Sequence, residues 1–334
     1  MGSAVFERLK KQRGIDEEFL HPQYWECETE RRKEGPERAS EARKALMLPD
    51  IQVAAKRVLE AVSRGERVLI YGDYDADGVT ASTLMYDALK LAGVEEVKVM
   101  LPDRFRDGYG MSERVIERAE KDGVGLVVTV DCGSNNGAVI ALLAEKGIDT
   151  IVTDHHELMG EVPERAVAVV NPTRTDVEVS EGLRNLAGVG VAFMLARELV
   201  FMGAIPAGQE KWMLDLVLIG TVCDAMVLTG VNRVLCYYGM KVLAKTRRVG
   251  LRELLRVAGV KQLDTGTVTF QIGPRINAAG RMKSAEVALK LLMTKSPAEA
   301  VRLATEIEQL NKERKIAQVA ATKEIVRRGW GRNR

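Results

Sequence analysis

The chain has 334 residues, of which 46% are hydrophobic and 29% are charged, and its formal net charge is +2. This length and composition predict a soluble, well-cored protein of two domains and exclude a disordered or fibrous one. No apolar run is long enough to span a bilayer, and no signal-peptide core is found, so we expect no membrane contact and a cytoplasmic location. The four cysteines form no CxxC pair. Their spacing favours reduced thiols and argues against a structural zinc site.

The charge is unevenly distributed along the chain. Residues 241–334 contain 21 Lys and Arg against 8 Asp and Glu, a net charge of +13, so residues 1–240 carry −11. An acidic first part is suited to carboxylates gathered around metals, and a basic second part is suited to holding a polyanion. Solvated faces of long helices would account for the same charges.

The predicted elements begin with a charged segment, 28–43, that we expect to be a surface helix, and with a helix at 51–62. Apolar runs and helical patterns then alternate, with short connections between them. This alternation predicts a Rossmann-like parallel sheet with helices on both faces. The predicted strands are 68–71, 97–101, 126–130, 150–153 and 166–170, and the predicted helices are 79–91, 112–121 and 136–146. From Asn171 to Trp212 we expect helix, followed by further helices and by a long one that starts at Pro297.

Acidic residues follow several of these strands. In a parallel α/β sheet, ligands bind beyond the carboxyl ends of the strands. The stretch YGDYDADGVTAS (71–82) places three aspartates at alternate positions after the first strand. Carboxylates this close repel one another unless a cation lies among them, and oxygen ligands suit Mg²⁺ and Mn²⁺. The alternative is a polar loop whose aspartates cap the next helix. The residues predicted at this edge are Asp73, Asp75, Asp77, Asp131, Asp154, His155, His156 and Asn171.

Two of the three histidines in the chain, His155 and His156, are adjacent and directly follow Asp154. Neutral imidazole beside carboxylates is a good ligand set for Mn²⁺. A mixed Asp/His cluster without cysteine is typical of two hard metal ions that act together in the hydrolysis of phosphate esters. A simple polar loop is the alternative.

These motifs resemble the DHH phosphoesterase superfamily, through DYDADG (73–78), DCG (131–133) and DHH (154–156). Four further stretches resemble its bacterial RecJ branch, which consists of single-stranded-DNA exonucleases that work from the 5′ end. They are DRFRDGYGMS (103–112), LAGVGVAF (186–193), TVCDAM (221–226) and GPRINAAGRM (273–282). The motifs occur in the order of that branch, and the resemblance extends from about Leu48 to the end of the chain.

The resemblance implies a centre of two Mn²⁺ or Mg²⁺ ions. Asp131 would bridge the ions, His156 would contact the scissile phosphate, and Asp154 would orient the histidines. Asp73 would be a ligand or lie directly behind one. The sequence itself supports Asp224, because a charge at the end of the apolar run 212–223 needs a partner, although a plain helix-end aspartate is the alternative. The catalytic residues by this correspondence are Asp75, Asp77, Asp131, His155, His156 and Asp224, and the metal ligands are Asp73, Asp75, Asp77, Asp131, His155 and Asp224.

The motif GPRINAAGRM has two arginines among small residues, and arginine can bind phosphate through two hydrogen bonds. The resemblance implies that Arg275, Asn277 and Arg281 contact the substrate backbone. A turn between helices is the alternative.

Two positions depart from the branch. Tyr71 replaces the histidine of some relatives, so we assign it no ligand role. Val231 stands where an acidic residue is usual.

The predicted organisation is an N-terminal extension (1–50), a DHH catalytic domain (51–230), and a helical substrate-gripping region with a connector helix (231–334). The resemblance implies a catalytic-core fragment without the family's second domain. The predicted activity is 5′-to-3′ hydrolysis of single-stranded DNA to 5′-mononucleotides in repair and recombination, with a single-strand-binding protein and a helicase as partners. Aromatic residues make up only 5%, and no stacking platform for bases is evident. The alternatives are a DHH phosphodiesterase for short oligoribonucleotides or cyclic dinucleotides, and a non-catalytic replication scaffold.

Overall fold

The computed structural model describes residues 10–12, 15–24, 46–104, 106, 108 and 110–330. The surface helix predicted at 28–43 lies outside these ranges. The described chain is built on one sheet, whose strands are β1 (Arg67–Gly72), β2 (Val97–Met100), β3 (Val124–Val130), β4 (Asp149–Thr153) and β5 (Ala168–Val170). All neighbouring strands are parallel and their order is β2-β1-β3-β4-β5. The predicted parallel sheet is confirmed.

Helices connect the strands and form the second half of the described chain. The long helix predicted from Pro297 is present. The helices are α1 (Ile51–Arg64), α2 (Ala76–Ala92), α3 (Arg114–Asp122), α4 (Gly137–Glu145), α5 (Gly188–Phe201), α6 (Leu214–Cys223), α7 (Gly230–Leu243), α8 (Val249–Val257), α9 (Gly273–Met282), α10 (Glu286–Met293) and α11 (Pro297–Trp330).

Both faces of the sheet are covered by apolar side chains. In β1, Val68 and Ile70 belong to the larger apolar cluster, whereas Leu69 and Tyr71 belong to the smaller one. This alternation follows from the two-residue period of a strand, and burial on both faces explains why β1 is a continuous apolar run. The smaller cluster is completed by α3 and α4, and the larger one by α1, α2, α5 and the later helices.

The larger apolar cluster is a single set of contacting buried residues, and its described members range from Tyr24 to Ile307. It therefore crosses the boundary that the sequence predicts between residues 230 and 231. The helix α6 packs against α7 across this boundary, and α10 packs against α2. The division into domains stays a prediction, and the helices after residue 230 share their core with the sheet.

Two local features differ from the sequence predictions, and the turn considered as an alternative for GPRINAAGRM is excluded. The helix α2 starts at Ala76 instead of residue 79, because Asp75 caps it. Between Asn171 and α5 the described chain has only one short 3₁₀ turn instead of helix. The motif GPRINAAGRM is the helix α9 rather than a turn, and it follows a π-helical turn at Val268–Ile272. Its Pro274 lies in the first turn of α9, where a missing N–H is tolerated.

The first part of α11 is packed and the last part is exposed. Ala300, Leu303, Ala304 and Ile307 are buried, whereas Ile316 and Ile325 are 70% exposed.

None of the described helices combines the length and the apolar character needed to cross a membrane. The described cysteines, Cys132, Cys223 and Cys236, are free thiols.

Candidate active site

The acidic residues after the strands converge at the carboxyl edge of the sheet, as predicted. Asp73, Asp75 and Asp77 follow β1, Asp131 follows β3, and the DHH stretch follows β4. Asp224 caps the carboxyl end of α6 and reaches the same place. Within the described chain, three groups have ligand atoms all within 4.8 Å of one another: Asp77, His155 and Asp224; Asp131, His155 and His156; and Asp73, Asp75 and Asp131.

Asp77 is fully buried and is held by the amino end of a distant helix. Its Oδ2 accepts a hydrogen bond from the N–H of Gly188 at 2.7 Å, and its Oδ1 accepts one from the N–H of Val189 at 2.9 Å. These two donors begin α5, where free N–H groups and the helix dipole both favour a negative charge. The sequence marks this place only by the glycines of LAGVGVAF, and no pairing with Asp77 could be read from it.

The other two aspartates of the first loop are bound to their own backbone. Asp75 Oδ1 accepts hydrogen bonds from the N–H groups of Asp77 and Gly78, at 2.9 and 3.0 Å, and so caps α2. Asp73 Oδ1 accepts one from the N–H of Tyr74 at 2.7 Å. The capping role considered as an alternative is therefore real for Asp75, and these bonds also fix the directions of the two carboxylates.

Asp131 and His155 form the centre of the site. Asp131 is buried and has a left-handed backbone with φ of 60°. Its Oδ1 lies 3.1 Å from Nε2 of His155, yet neither atom makes a hydrogen bond in the described structure. The same Nε2 lies 3.8 Å from Asp77 and 3.7 Å from Asp224. A buried polar atom without a partner costs about 1–3 kcal/mol. A divalent cation bound by this ring of oxygen and nitrogen atoms would remove that cost, so these residues fit a metal.

Asp154 organises the histidine loop from behind. Its Oδ1 accepts hydrogen bonds from the N–H of His155 at 2.7 Å and of His156 at 3.2 Å, and it lies 2.8 Å from Nδ1 of His156. Asn171 supports the same loop, because its amide donates to the carbonyl of His156 at 2.9 Å. This geometry agrees with the orienting role expected for Asp154.

The crowding of these groups changes their pKa values. Burial, followed by the charge of Asp75, raises the pKa of Asp73 to about 7. Burial also raises the pKa of Asp77 and Asp131, and it raises the pKa of Asp224 to about 6. Burial lowers the pKa of His155 to about 4, so this imidazole is neutral and able to act as a ligand. Carboxylates that retain protons near neutral pH are groups that a bound cation would stabilise.

His156 behaves differently from its neighbour. Burial works to lower its pKa, but the hydrogen bond with Asp154 and the charge of that carboxylate outweigh burial and raise it. The pKa of Asp154 is lowered, because the bonds from His156 and from the N–H of Ser134 outweigh the effect of burial. The bond with Asp154 therefore holds the partly exposed His156 next to the carboxylates and favours the protonated form of its imidazole.

In the presence of a chelator, we expect the stability of the protein to fall as the pH rises from about 4 to about 7. The folded-state pKa values of Asp73 and Asp224, about 7 and about 6, exceed the ordinary value. The folded state therefore binds more protons in this window, and its stability is lost as the pH passes through those values. The lowered pKa of His155 makes stability increase with pH in this window, but His155 is a single group. Thermal unfolding with EDTA at about pH 5 and about pH 7.5 measures the effect. The variant Asp73→Asn should lose less stability over the same pH range. Stability that increases with pH would contradict the raised pKa values of these carboxylates.

A cavity of about 230 Å³ opens beside the acidic cluster. Its lining combines acidic residues with arginines, which suits a phosphate next to a metal. Arg281, which the resemblance assigns to the substrate phosphate, lines it, and so does Arg104, whose guanidinium lies 5.4 Å from the centre of the Tyr74 ring. Sequence reasoning missed Arg104, although it belongs to the motif DRFRDGYGMS. The lining residues are Asp73, Tyr74, Asp75, Arg104, His156, Asn277 and Arg281.

Asn277 lines this cavity and also holds the first acidic loop. Its Oδ1 accepts a hydrogen bond from the N–H of Ala76 at 2.8 Å. Further along α9, Gly280 is so close to the loop that an added Cβ would lie 2.7 Å from the carbonyl oxygen of Tyr74. The helix α9 therefore packs directly on the backbone between Asp73 and Asp77, which its resemblance to a phosphate-binding motif does not reveal.

Arg275 has a different position from the one predicted. It is buried, its Nε lies 2.6 Å from Oε2 of Glu308 on α11, and its Nη1 donates to the carbonyl of Gln271 at 2.7 Å. The side chain does not line the cavity described above. Its guanidinium faces a carboxylate because α9 lies against α11, and this ion pair joins the two helices.

The two departures noted in the sequence have structural positions. Tyr71 is buried in the smaller apolar cluster, and its hydroxyl donates to the carbonyl of Gly110 at 3.1 Å and accepts from the N–H of Ser112 at 3.3 Å. It thus holds Gly110 and Ser112, which precede α3. Val231 is buried in the larger apolar cluster. Neither residue belongs to the groups of ligand atoms found in the described chain.

Known proteins are similar to this chain in sequence. The family described as DHH family, N-terminal domain, matches residues 67–221. The single-stranded-DNA-specific exonuclease RecJ of Bacillus subtilis (strain 168) is 41% identical over 263 residues, which cover 78% of this chain and 32% of that protein. The RecJ of Escherichia coli (strain K12) is 38% identical, with 80% of this chain and 48% of that protein covered. The chain thus spans about a third to a half of the length of these relatives.

Solved structures extend the similarity to three dimensions. A crystal structure of exonuclease RecJ bound to manganese has a TM-score of 0.77 and 36% identity, and the match covers 85% of this chain and 71% of that one. The structure of RecJ from Thermus thermophilus in complex with Mn²⁺ has a TM-score of 0.73 and 35% identity, covering 84% and 40%. The chain therefore belongs to the DHH family, in its RecJ branch.

Proposed function

We propose that this chain is the catalytic part of a metal-dependent exonuclease that degrades single-stranded DNA from its 5′ end to 5′-mononucleotides. The observation that carries the proposal is the buried pair Asp131 Oδ1 and His155 Nε2, 3.1 Å apart and without hydrogen bonds, within a group of carboxylates. The names of the relatives support the substrate, because they are single-stranded-DNA-specific exonucleases. A role in DNA repair and recombination, and a single-strand-binding protein and a helicase as partners, belong to the same proposal.

The metal ligands are proposed from the three groups of close ligand atoms. Asp77, His155 and Asp224 would hold one ion of Mn²⁺ or Mg²⁺, and Asp73 and Asp75 a second one, with Asp131 shared between them. Oxygen-rich sites with one neutral imidazole suit Mn²⁺ in particular. The titles of two neighbouring RecJ structures name Mn²⁺, and that of a third names Mg²⁺, which supports this choice.

When bound, such ions would activate a water molecule and neutralise charge on the phosphate oxygens. The residues of the chain have separate tasks. The Gly188 and Val189 N–H groups and the capping bonds of Asp75 keep the carboxylates in place. His156, held by Asp154, and the guanidinium groups of Arg281 and Arg104 on the cavity wall would stabilise the negative charge that grows on the phosphate.

Incubation with Mn²⁺ and 5′-labelled single-stranded DNA tests the proposal. We expect release of a labelled 5′-mononucleotide, no release with EDTA, and slow cleavage of blunt duplex DNA. Efficient cleavage of a dinucleotide or a cyclic dinucleotide alone would overturn the assigned substrate. Binding of Mn²⁺ without hydrolysis of any of these substrates would favour a scaffold and would overturn the assigned activity.

Asn277→Ala separates two roles for this residue. The substitution removes the acceptor for the Ala76 N–H, so the loop that carries Asp75 and Asp77 loses a support. Loss of such a support weakens metal binding by about 10–100-fold. We therefore expect weaker Mn²⁺ binding in calorimetry and activity that recovers at higher Mn²⁺ concentration. A phosphate contact would instead raise KM for DNA and leave Mn²⁺ affinity unchanged. That second pattern is the one expected for Arg281→Ala, which serves as the comparison.

A further inference from the structure

A second surface with aromatic and cationic side chains lies at the opposite end of the helices that carry the active site. Two cavities, of about 340 and 270 Å³, share Trp212 as a lining residue. Trp212 lies two residues before the first residue of α6, and the other end of this helix carries Asp224. Since this helix has ten residues and rises about 1.5 Å per residue, roughly 15 Å separate the surface from the acidic cluster. We call this region the Trp212 surface; besides Lys90 and Arg248, its cationic members are Lys211, Lys241, Lys245, Arg247 and Lys295.

Among the described residues, most cations of the Trp212 surface are not paired with a carboxylate. Within the described part of the chain, none of the five forms an ion pair, although lysines elsewhere, such as Lys98 and Lys146, do. Both carboxylates that line the larger cavity, Asp87 and Asp215, are engaged by Arg248, at 2.7 and 3.4 Å. A polyanion would meet a positive potential here, and neutralisation of that charge would favour its binding.

Aromatic rings alternate with these cations. Arg247 lies 3.5 Å from the centre of the Trp212 ring, and Lys241 lies 4.2 and 4.9 Å from the centres of Tyr237 and Tyr238. These three rings are only partly buried. Rings of this kind can stack with bases while the neighbouring cations contact phosphates, which is how proteins hold single strands without reading their sequence. The tryptophan is distant in sequence from the two tyrosines, so composition did not reveal a stacking surface.

We propose that the Trp212 surface is a second binding site for single-stranded nucleic acid, which holds a part of the strand remote from the cleaved end. This inference depends on the proposed function in one respect: it assumes that the strand bound here is the one whose 5′ end is cleaved. An acidic peptide would use the cations, but its side chains would make no use of the three rings. The combination of unpaired cations with partly exposed rings therefore favours a nucleic acid.

Binding measured with EDTA present, so that no cleavage occurs, tests the proposal. The charge-reversal variant Lys241→Glu, Lys245→Glu, Arg247→Glu should bind labelled single-stranded DNA of about 20 nucleotides at least tenfold more weakly, with a smaller dependence on salt. The matched control is Lys56→Glu, Lys121→Glu, Arg165→Glu, which changes the charge equally at exposed positions on other surfaces. We expect the control to stay within twofold of the parent protein, and both variants to cleave a short single-stranded substrate at the parent rate with Mn²⁺.

Stacking is tested separately with Trp212→Ala and an oligonucleotide that contains abasic sites. The parent protein should bind the abasic strand several-fold more weakly than the normal one, and the variant should lose this preference. Unchanged affinity of the charge-reversal variant would overturn the proposal, and so would equal competition by poly-glutamate, which would assign the surface to an acidic protein. Failure of the parent to cleave the short substrate would instead contradict the proposed function, since the binding experiment requires no cleavage.

Discussion

Asp131→Asn is expected to lower hydrolysis of single-stranded DNA by at least about a thousandfold and, at the same time, to stabilise the chelator-treated protein by roughly 1–3 kcal/mol. Asp131 belongs to two of the three groups of close ligand atoms, and its Oδ1 faces His155 without a hydrogen bond. Removal of its charge should therefore abolish the shared metal position. It should also relieve the repulsion from Asp77 and Asp75 that contributes to the raised pKa of Asp131.

Asparagine is the informative replacement at this position. The backbone of Asp131 is left-handed, with φ of 60°, a conformation that asparagine tolerates well and alanine does not. The experiment combines turnover of labelled DNA with thermal unfolding in EDTA and in Mn²⁺. Stabilisation of the protein by Mn²⁺ should be lost in the variant. Asp122→Asn, which removes a carboxylate from the surface pair with Lys98, is the control and should keep full activity. Activity of Asp131→Asn within tenfold of the parent would mean that Asp131 does not bind the metal.

The composition of the acidic edge could be predicted from the sequence because it depends on short-range rules. A strand followed by aspartates places them at the carboxyl edge of a parallel sheet, so Asp73, Asp131 and Asp154 had to lie near one another. Asp224 follows a helix rather than a strand, so the resemblance assigned it, and the charge at the end of an apolar run only supported that assignment. Strand order and register were not needed for these predictions, since every parallel strand ends at the same edge.

The contacts that hold the acidic groups could not be predicted, because they join parts of the chain that are distant in sequence. The N–H groups that bind Asp77 come from residues 111 and 112 positions later. The partner of Arg275 is Glu308 on a helix whose packing no local pattern indicates. The resemblance identified α9 as important but assigned Arg275 and Asn277 to phosphate. In the structure Arg275 pairs with another helix, and Asn277 supports the acidic loop.

Gly188→Ala should disrupt the site through a single methyl group. An added Cβ would lie 2.5 Å from both Cβ and Oδ1 of Asp131, closer than van der Waals contact allows. Gly188 also donates its N–H to Asp77 at 2.7 Å, so a shift of the helix start to relieve the clash would move the donor away from that carboxylate. We expect a loss of stability of about 1–3 kcal/mol from overpacking. We also expect hydrolysis to fall by about 100-fold or more, because two of the proposed metal ligands, Asp77 and Asp131, would be displaced together.

Gly137→Ala is a matched control, because Gly137 is likewise the first residue of a helix, α4, and nothing lies within 4 Å of an added Cβ. This control should keep its activity and gain up to about 1 kcal/mol in the free energy of unfolding, since alanine restricts the unfolded chain. Turnover, Mn²⁺ affinity and thermal stability should therefore decrease in Gly188→Ala but not in Gly137→Ala. If Gly188→Ala binds Mn²⁺ and cleaves DNA as the control does, then the close approach of α5 to Asp131 does not determine the geometry of the metal ligands. The clash affects Asp131 and the lost N–H bond affects Asp77, so Gly188→Ala should impair both proposed ion positions. Substitution of Asp77 alone should impair chiefly the position that it shares with His155 and Asp224.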